Sequence, residues 1–174
     1  MKILSKFFVL AFIASFFVSC GGDKGPTPGQ EAVNFDLSYN IFVAANSSTT
    51  TPASKQLSEI LSSANQGNAK FVNTSAINRR DSYISVSGLT ATGGTINNVK
   101  FTTSDNKINF TLPNITSISR DTMLIDDVYT NLAQQIGSYL ATNKSITLSV
   151  SYTAGNQSIN AGTIKVHTAA TFSW

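Results

Sequence analysis

The sequence predicts an antiparallel β-sandwich. Most of its candidate strands alternate apolar and polar residues, which is typical of antiparallel sheets that bury one face and expose the other. Turn-forming residues separate these segments, and Ser, Thr and Asn take the place of charged residues, which make up only 12% of the chain. The alternative is an α+β fold in which one antiparallel sheet carries its helices on a single face.

The first strand is predicted from Val33 to Val43, where every second residue is apolar and only Phe42 interrupts the polar positions. A polar loop follows. Pro52 is well placed to begin a helix, because the first turn of a helix does not need its missing N–H. Apolar residues at helical spacing predict that this helix continues to Ala64.

Four strand-like segments come next, over residues 69–77, 82–89, 98–103 and 107–112. The last two are predicted to form a hairpin, because Ser104, Asp105 and Asn106 between them favour a tight turn. Pro113 should end the hairpin's second strand, since it has no N–H to donate to a ladder.

A second helix and two strands complete the pattern. Apolar residues recur every four positions from Leu124 to Leu140, which predicts one apolar helix face. Residues 146–152 and 164–174 then alternate as strands, which predicts that Trp174 lies in the core. About seven strands and two packed helices favour a mainly β sandwich of immunoglobulin-like type, with the helices covering an open end or one sheet face.

The amino-terminal residues carry the clearest functional signal. A short basic start precedes an apolar run over residues 7–18, and this run closes on Ser19 and Cys20. The layout resembles the signal peptide and lipobox of bacterial lipoproteins. With Phe17 in the lipobox and two glycines after the cysteine, it is similar to those of the Bacteroidota. The resemblance implies cleavage before Cys20, acylation of its thiol and a lipid-anchored protein of the cell envelope, in the outer membrane, on its periplasmic or its surface face.

The predicted organisation is therefore a signal peptide over residues 1–19, a lipidated cysteine with a flexible Gly- and Pro-rich tether over 20–31, and a single β-rich domain over 32–174. The alternative for the apolar run is a membrane-spanning anchor. A bilayer core requires about 20 apolar residues, and this run is shorter.

Charge and cysteine content exclude several classes. Without Lys2 and Lys6, ten basic residues stand against nine acidic ones. A near-neutral surface argues against nucleic-acid binding, which needs clustered basic residues, and the adjacent Arg79 and Arg80 are expected in a solvated turn. Cys20 is the only cysteine, so the domain has no disulfide.

The residues that could support chemistry are isolated from one another. His167 is the only histidine, and its place on the last strand predicts an outward-facing side chain without zinc-ligand partners. Asp126 and Asp127 are adjacent on a helix, so their side chains diverge. Asp105 and Asn106 lack the spacing of a calcium loop. We therefore expect no catalytic, cofactor or metal site.

One short motif indicates a modification. Asp121, Thr122 and Met123 resemble the Asp-Ser/Thr-aliphatic triplet at which Bacteroidota attach O-linked glycans to exported proteins. The resemblance makes Thr122 a candidate glycosylation site.

These features predict a non-catalytic binding or structural protein whose partner is an envelope protein or a glycan. One alternative is a carbohydrate-binding module or weak glycan-active enzyme, in which Phe42, Tyr83 and Tyr129 would stack on sugar rings. Another alternative is a pilus or fibre subunit, which would need an unpaired sheet edge.

Overall fold

A computed structural model describes residues 29–64, 73–78, 81–88, 95–112, 122–124 and 127–174. The fold is mainly β, and two antiparallel sheets form a sandwich, as the sequence predicts. Within the described residues the strands are β1 (Gln30–Asn40), β2 (Ser48–Gln56), β3 (Asn73–Ile77), β4 (Tyr83–Ser87), β5 (Ile96–Thr103), β6 (Asn109–Thr111), β7 (Thr122–Leu124), β8 (Ser145–Ala154) and β9 (Thr163–Ser173). The helices are α1 (Leu57–Ile60), which continues into a 3-10 turn (Leu61–Ala64), and α2 (Asp127–Asn143).

The two sheets have different central strands. In the first sheet the order is β1-β9-β4-β7, and β3 pairs with β9 beyond the end of β4. In the second sheet the order is β2-β8-β5-β6. The longest pairing joins β1 to β9, from Gln30 opposite Ser173 to Asn40 opposite Thr163. This register places β1 along the whole length of the sandwich.

The core lies between the sheets because long strands such as β1 and β8 turn alternate side chains inward. On β1, Val33, Phe35, Leu37 and Tyr39 are buried, while the residues between them are exposed or half-buried. Burying such side chains removes apolar surface from water, which is the main favourable contribution to folding.

Helix α2 is part of the same core. Leu132, Ile136 and Leu140 have no exposed surface. The helix contacts β3, β4 and β9 of the first sheet and β8 of the second, so it packs against strands of both sheets. It begins at Asp127 rather than at Leu124, which belongs to β7. Among the described residues, no helix is long and apolar enough to cross a membrane.

All seven predicted strands are present, and β2 and β7 are additional. The predicted hairpin turn is also confirmed: the N–H of Asn106 donates to the carbonyl of Thr103 at 2.9 Å, and Asn106 has a φ of 58°.

The predicted helix from Pro52 to Ala64 is wrong in its first half. Residues 52–56 extend β2, which pairs with β8 along nine positions, and the helix begins only at Leu57. Two physical reasons favour the strand. Thr49, Thr50 and Thr51 are β-branched, and Pro52 is tolerated because β2 lies at the edge of its sheet.

The expectation that Trp174 lies in the core is also wrong, since 36% of its surface is exposed. β9 ends at Ser173, so Trp174 lies beyond the paired register. Its backbone N–H donates to the carbonyl of Gly29 at 2.8 Å.

Candidate functional site

The two ends of the sandwich, which we call poles, consist of different kinds of residues. The amino-terminal pole consists of Gly29, Gln30, Ser173 and Trp174, where the described chain enters β1 beside the end of β9. From there β1 runs for eleven residues, a length of about 33 Å, to the opposite end. That end, the loop pole, consists of the loops over residues 41–47 and 155–162.

Backbone hydrogen bonds hold the two loops of the loop pole together. Val43 and Ile159 exchange N–H···O=C bonds of 2.9 and 2.8 Å, which form an isolated bridge. Nearby, the N–H of Asn46 donates to the carbonyl of Gly155 at 2.7 Å, and the N–H of Ala45 donates to the Ser158 hydroxyl at 3.0 Å. Side chains on these loops therefore stand on a fixed backbone.

Phe42 is the most exposed large apolar side chain of the described residues, with 74% of its surface accessible. Its neighbours Ile41 and Val43 are buried, at 1% and 5% exposure. Because the extended chain alternates its side chains, burial of these two residues forces the Phe42 ring outward. An exposed aromatic ring on a hydrogen-bonded backbone is the kind of residue that dominates binding energy at interfaces.

The loop pole carries no charge. Neither loop contains Asp, Glu, Lys, Arg or His. The exposed polar side chains of the two loops include four amides, those of Asn46, Asn156, Gln157 and Asn160. Such a surface suits a neutral partner, because amides can donate and accept hydrogen bonds and no ion has to be desolvated.

The only histidine lies on the outer face of the first sheet, as predicted. Asp36, His167 and Tyr83 stand in one row across β1, β9 and β4. The His167 Nδ1 is 2.6 Å from the Asp36 Oδ1, and Lys165 Nζ is 3.5 Å from the Asp36 Oδ2. The Tyr83 ring stacks on the imidazole, with centroids 4.7 Å apart and planes 17° apart.

Asp36 and His167 correspond to two of the three members of a hydrolase triad. A triad needs a serine or similar nucleophile bonded to the second imidazole nitrogen. Among the described residues, the hydrogen bond to Asp36 is the one that His167 makes. The arrangement therefore works as cross-strand packing, in which an ion pair and a ring stack join three strands.

A second polar cluster lies at the β5–β6 turn and joins it to α2. The Asp105 carboxylate accepts hydrogen bonds from the Thr103 hydroxyl at 2.7 Å, the Lys107 N–H at 3.2 Å and the Tyr139 hydroxyl at 3.2 Å. The hydrogen bond from Thr103 is the main reason that the pKa of Asp105 is lowered. Desolvation, and then the bond to Asp105, raise the pKa of Tyr139. Three donors fix this carboxylate in place, so it stabilises the turn and its contact with α2.

The structure separates the predicted aromatic candidates. Phe42 is exposed at the loop pole, Tyr83 is half-buried against His167, and Tyr129 is buried in the core at 8% exposure. The three rings therefore do not form one sugar-stacking surface, and of the three only Phe42 is freely accessible.

The other predicted site residues fall mostly outside the described residues. Cys20, Asp126, Arg79 and Arg80 all lie outside them. Thr122 is the first residue of β7 and pairs with Val86 of β4. Within the described ranges, no three His, Cys, Asp or Glu side chains stand close enough to hold a metal ion.

Comparisons with known proteins return nothing similar: no family model matches the chain, and neither the curated proteins nor the solved structures contain a match.

Sequence reasoning missed the loop pole as a unit. The signal was the break in alternation at Phe42, together with the uncharged Gly-Asn-Gln-Ser-Ile-Asn-Ala-Gly run at residues 155–162. The pairing of Val43 with Ile159 joins residues far apart in the chain, and neither segment indicates the other.

Proposed function

We propose that the protein is an exported lipoprotein that is anchored to the membrane through acyl chains on Cys20 and binds a partner, without catalysis, through its loop pole. The basic start, apolar run and closing cysteine of residues 1–20 support the anchor. Several acyl chains on one cysteine give stable attachment, whereas one chain alone binds a bilayer only marginally. The location is the cell envelope, at the outer membrane.

The observation that most supports this proposal is that the amino-terminal pole and the loop pole lie at opposite ends of the sandwich. Residues 20–28 join the proposed anchor to the amino-terminal pole at Gly29, and extended they reach about 30 Å. β1 then carries the chain about 33 Å further, to the loops that hold Phe42. An anchor at Cys20 thus keeps the amino-terminal pole nearer the membrane on average and presents Phe42 away from it.

The proposed partner is an envelope protein or a glycan that places an uncharged surface on the loop pole. Phe42 supplies the apolar contact, and the exposed amides supply hydrogen bonds. Thr122 remains a proposed O-glycosylation site.

The fibre-subunit alternative gains no support from β1 and β2, which are two of the edge strands among the described residues. β2 carries Pro52, which lacks a donor, and Lys55, which is half-buried on the inner side of the edge. Both features hinder the addition of a further strand. β1, the edge of the first sheet, is contacted by α1 and the 3-10 turn.

Energy transfer from a single tryptophan to acceptor-labelled lipid head groups tests the orientation. Trp174 is the only tryptophan and lies at the amino-terminal pole. The matched protein carries Trp174→Phe and Phe42→Trp, which moves the donor to the loop pole. In vesicles that hold the lipidated protein, we expect stronger transfer from Trp174 than from Trp at position 42.

Each of the two proteins has its own control, which lacks the lipid anchor. The Cys20→Ser form of each protein should show no transfer, because it is not attached to the vesicle. Equal transfer from both positions, or stronger transfer from position 42, would refute the proposed orientation.

A further inference from the structure

A shallow groove lies on the outer face of the second sheet, at the end next to the loop pole. Its volume is about 440 Å³, within the range of roughly 300–1,000 Å³ that is usual for small-molecule sites. β2 starts at its wall directly after the loop over residues 41–47, and β8 ends there directly before the loop over 155–162. The groove is lined by Ser48, Thr49, Thr50, Asn98, Ser151, Tyr152 and Thr153.

The polar groups of this groove stand on a rigid backbone. Ser48 and Thr153 face each other across the β2–β8 pair, with their hydroxyl oxygens 2.9 Å apart, and Thr50 is opposite Ser151. Each hydroxyl carries one donor and two acceptor positions, so this mutual bond leaves hydrogen-bonding capacity for a ligand. Little ordering entropy is lost when a ligand meets groups that the sheet already holds.

A β-bulge shapes one wall of the groove. Between the pairs Asn97–Thr153 and Lys100–Ser151, two residues of β5 stand opposite one residue of β8. Asn98 is the first of the two, is exposed, and has a left-handed φ of 55°. Bulges with a residue in this conformation bend a strand and redirect side chains, and they are common next to binding sites.

The composition of the groove decides the ligand class. None of the lining residues is charged, so the groove offers no oppositely charged side chain to a phosphate, a carboxylate or a cation. Tyr152 is buried at 2% exposure, so the lining presents no exposed aromatic or aliphatic side chain to an apolar ligand. Lys100 stands next to Ser151 on the same face but is not part of the lining.

We infer that this groove binds a neutral, polyhydroxylated ligand, namely a short segment of uncharged glycan, through the hydroxyls of β2 and β8 and the amide of Asn98. The ligand's hydroxyls exchange hydrogen bonds with those of the groove, and no charge is desolvated. Without an aromatic stacking platform the affinity is weak, with a dissociation constant on the order of 1 mM. The inference goes beyond the proposed function, since it assigns a second site whose lining includes no residue of the loop pole and which does not require the lipid anchor.

Saturation-transfer NMR tests the inference with the full lipidated protein in a detergent that has no sugar head group. The probes are maltotriose, cellotriose and mannotriose, and trigalacturonic acid is the anionic comparison. The groove variant carries Thr50→Val and Asn98→Gly; glycine keeps the left-handed φ, so the bulge is retained. The matched control carries Ser54→Ala and Thr147→Val, because these residues form an equivalent hydroxyl pair, 2.8 Å apart, on the same two strands outside the groove.

We expect transfer to at least one neutral trisaccharide, with about tenfold weaker binding in the groove variant and unchanged binding in the control. No transfer to any of the three, an equal loss in both variants, or transfer confined to trigalacturonic acid would overturn the inference. Because Cys20→Ser should change location but not this signal, failure of glycan binding is distinguishable from failure of the lipid anchor.

Discussion

Replacing Tyr39 with phenylalanine should leave the protein as stable as the wild type or more stable. The side chain has no exposed surface, and its hydroxyl has no hydrogen-bond partner among the described residues. A buried hydroxyl without a partner costs about 1–3 kcal/mol, and burial also raises the pKa of Tyr39, so the group stays neutral at high pH. Phenylalanine keeps the ring and its contact with Phe101, whose centroid is 5.9 Å away.

Removing the hydroxyl should raise the free energy of unfolding by about 1 kcal/mol, part of the desolvation cost being offset by lost packing of one oxygen. The midpoint of thermal unfolding should rise by about 2–4 °C. Urea unfolding followed by far-ultraviolet circular dichroism measures this change. Tyr152→Phe should behave in the same way, because the Tyr152 hydroxyl is also buried without a partner among the described residues.

Tyr139→Phe is the matched comparison, since the Tyr139 hydroxyl donates to Asp105. It should lower stability slightly. If Tyr39→Phe instead destabilises the protein by more than about 1 kcal/mol, its hydroxyl has a partner and the reasoning fails.

Three further predictions concern α2, the β5–β6 turn and β7. Ile136→Ala should lower the free energy of unfolding, measured in urea, by about 2–5 kcal/mol, because Ile136 is fully buried. The control is Gln135→Ala at an exposed neighbouring position, which should change this free energy by less than about 0.5 kcal/mol. Similar losses in both variants would contradict the packing of α2. The hydrogen bond from Thr103 lowers the pKa of Asp105 in the folded protein. The ionised carboxylate therefore stabilises the fold fully at pH values above the pKa of Asp105 in the unfolded chain, about 3.9. This contribution is lost as the pH falls through the lower pKa of the folded protein. Asp105→Asn should therefore weaken the dependence of the unfolding temperature on pH below about 4. If the unfolding temperature of the variant falls with pH as steeply as that of the wild type, Asp105 does not have this role. Mass spectrometry of protein from its native host should show a glycan mass that Thr122→Val removes, and the same mass in both proteins would exclude Thr122 as the site.

The sheet pattern could be predicted from sequence where alternation was strict. β1 from Val33 and β8 along its length alternate buried and more accessible residues without interruption, and β9 does so except at Thr168 to Ala170, which are all buried. These strands and most of their buried faces therefore follow from the pattern. The β5–β6 turn was also predictable, because Asp105 and Asn106 have the local chemistry that such turns require.

The remaining features depend on contacts between residues far apart in the chain. Ser48–Gln56 has no apolar alternation, and it is a strand because it pairs with β8. The exposure of Phe42 depends on the bridge from Val43 to Ile159, and the groove depends on a bulge opposite Tyr152. No local pattern specifies such pairings, which is why the candidate site emerged only from the fold.

The variant Cys20→Ser tests whether Cys20 anchors this sandwich to a membrane, as we propose. The measurement is labelling with a palmitate analogue, followed by separation of membranes washed with carbonate. The wild-type protein should carry the label and stay in the membrane pellet. The variant should be unlabelled and leave the pellet, while its circular dichroism spectrum is unchanged because the substitution alters none of the residues that form the described core. If the Cys20→Ser protein remains in the washed membranes with residues 1–19 removed, acyl chains on Cys20 are not what anchors it.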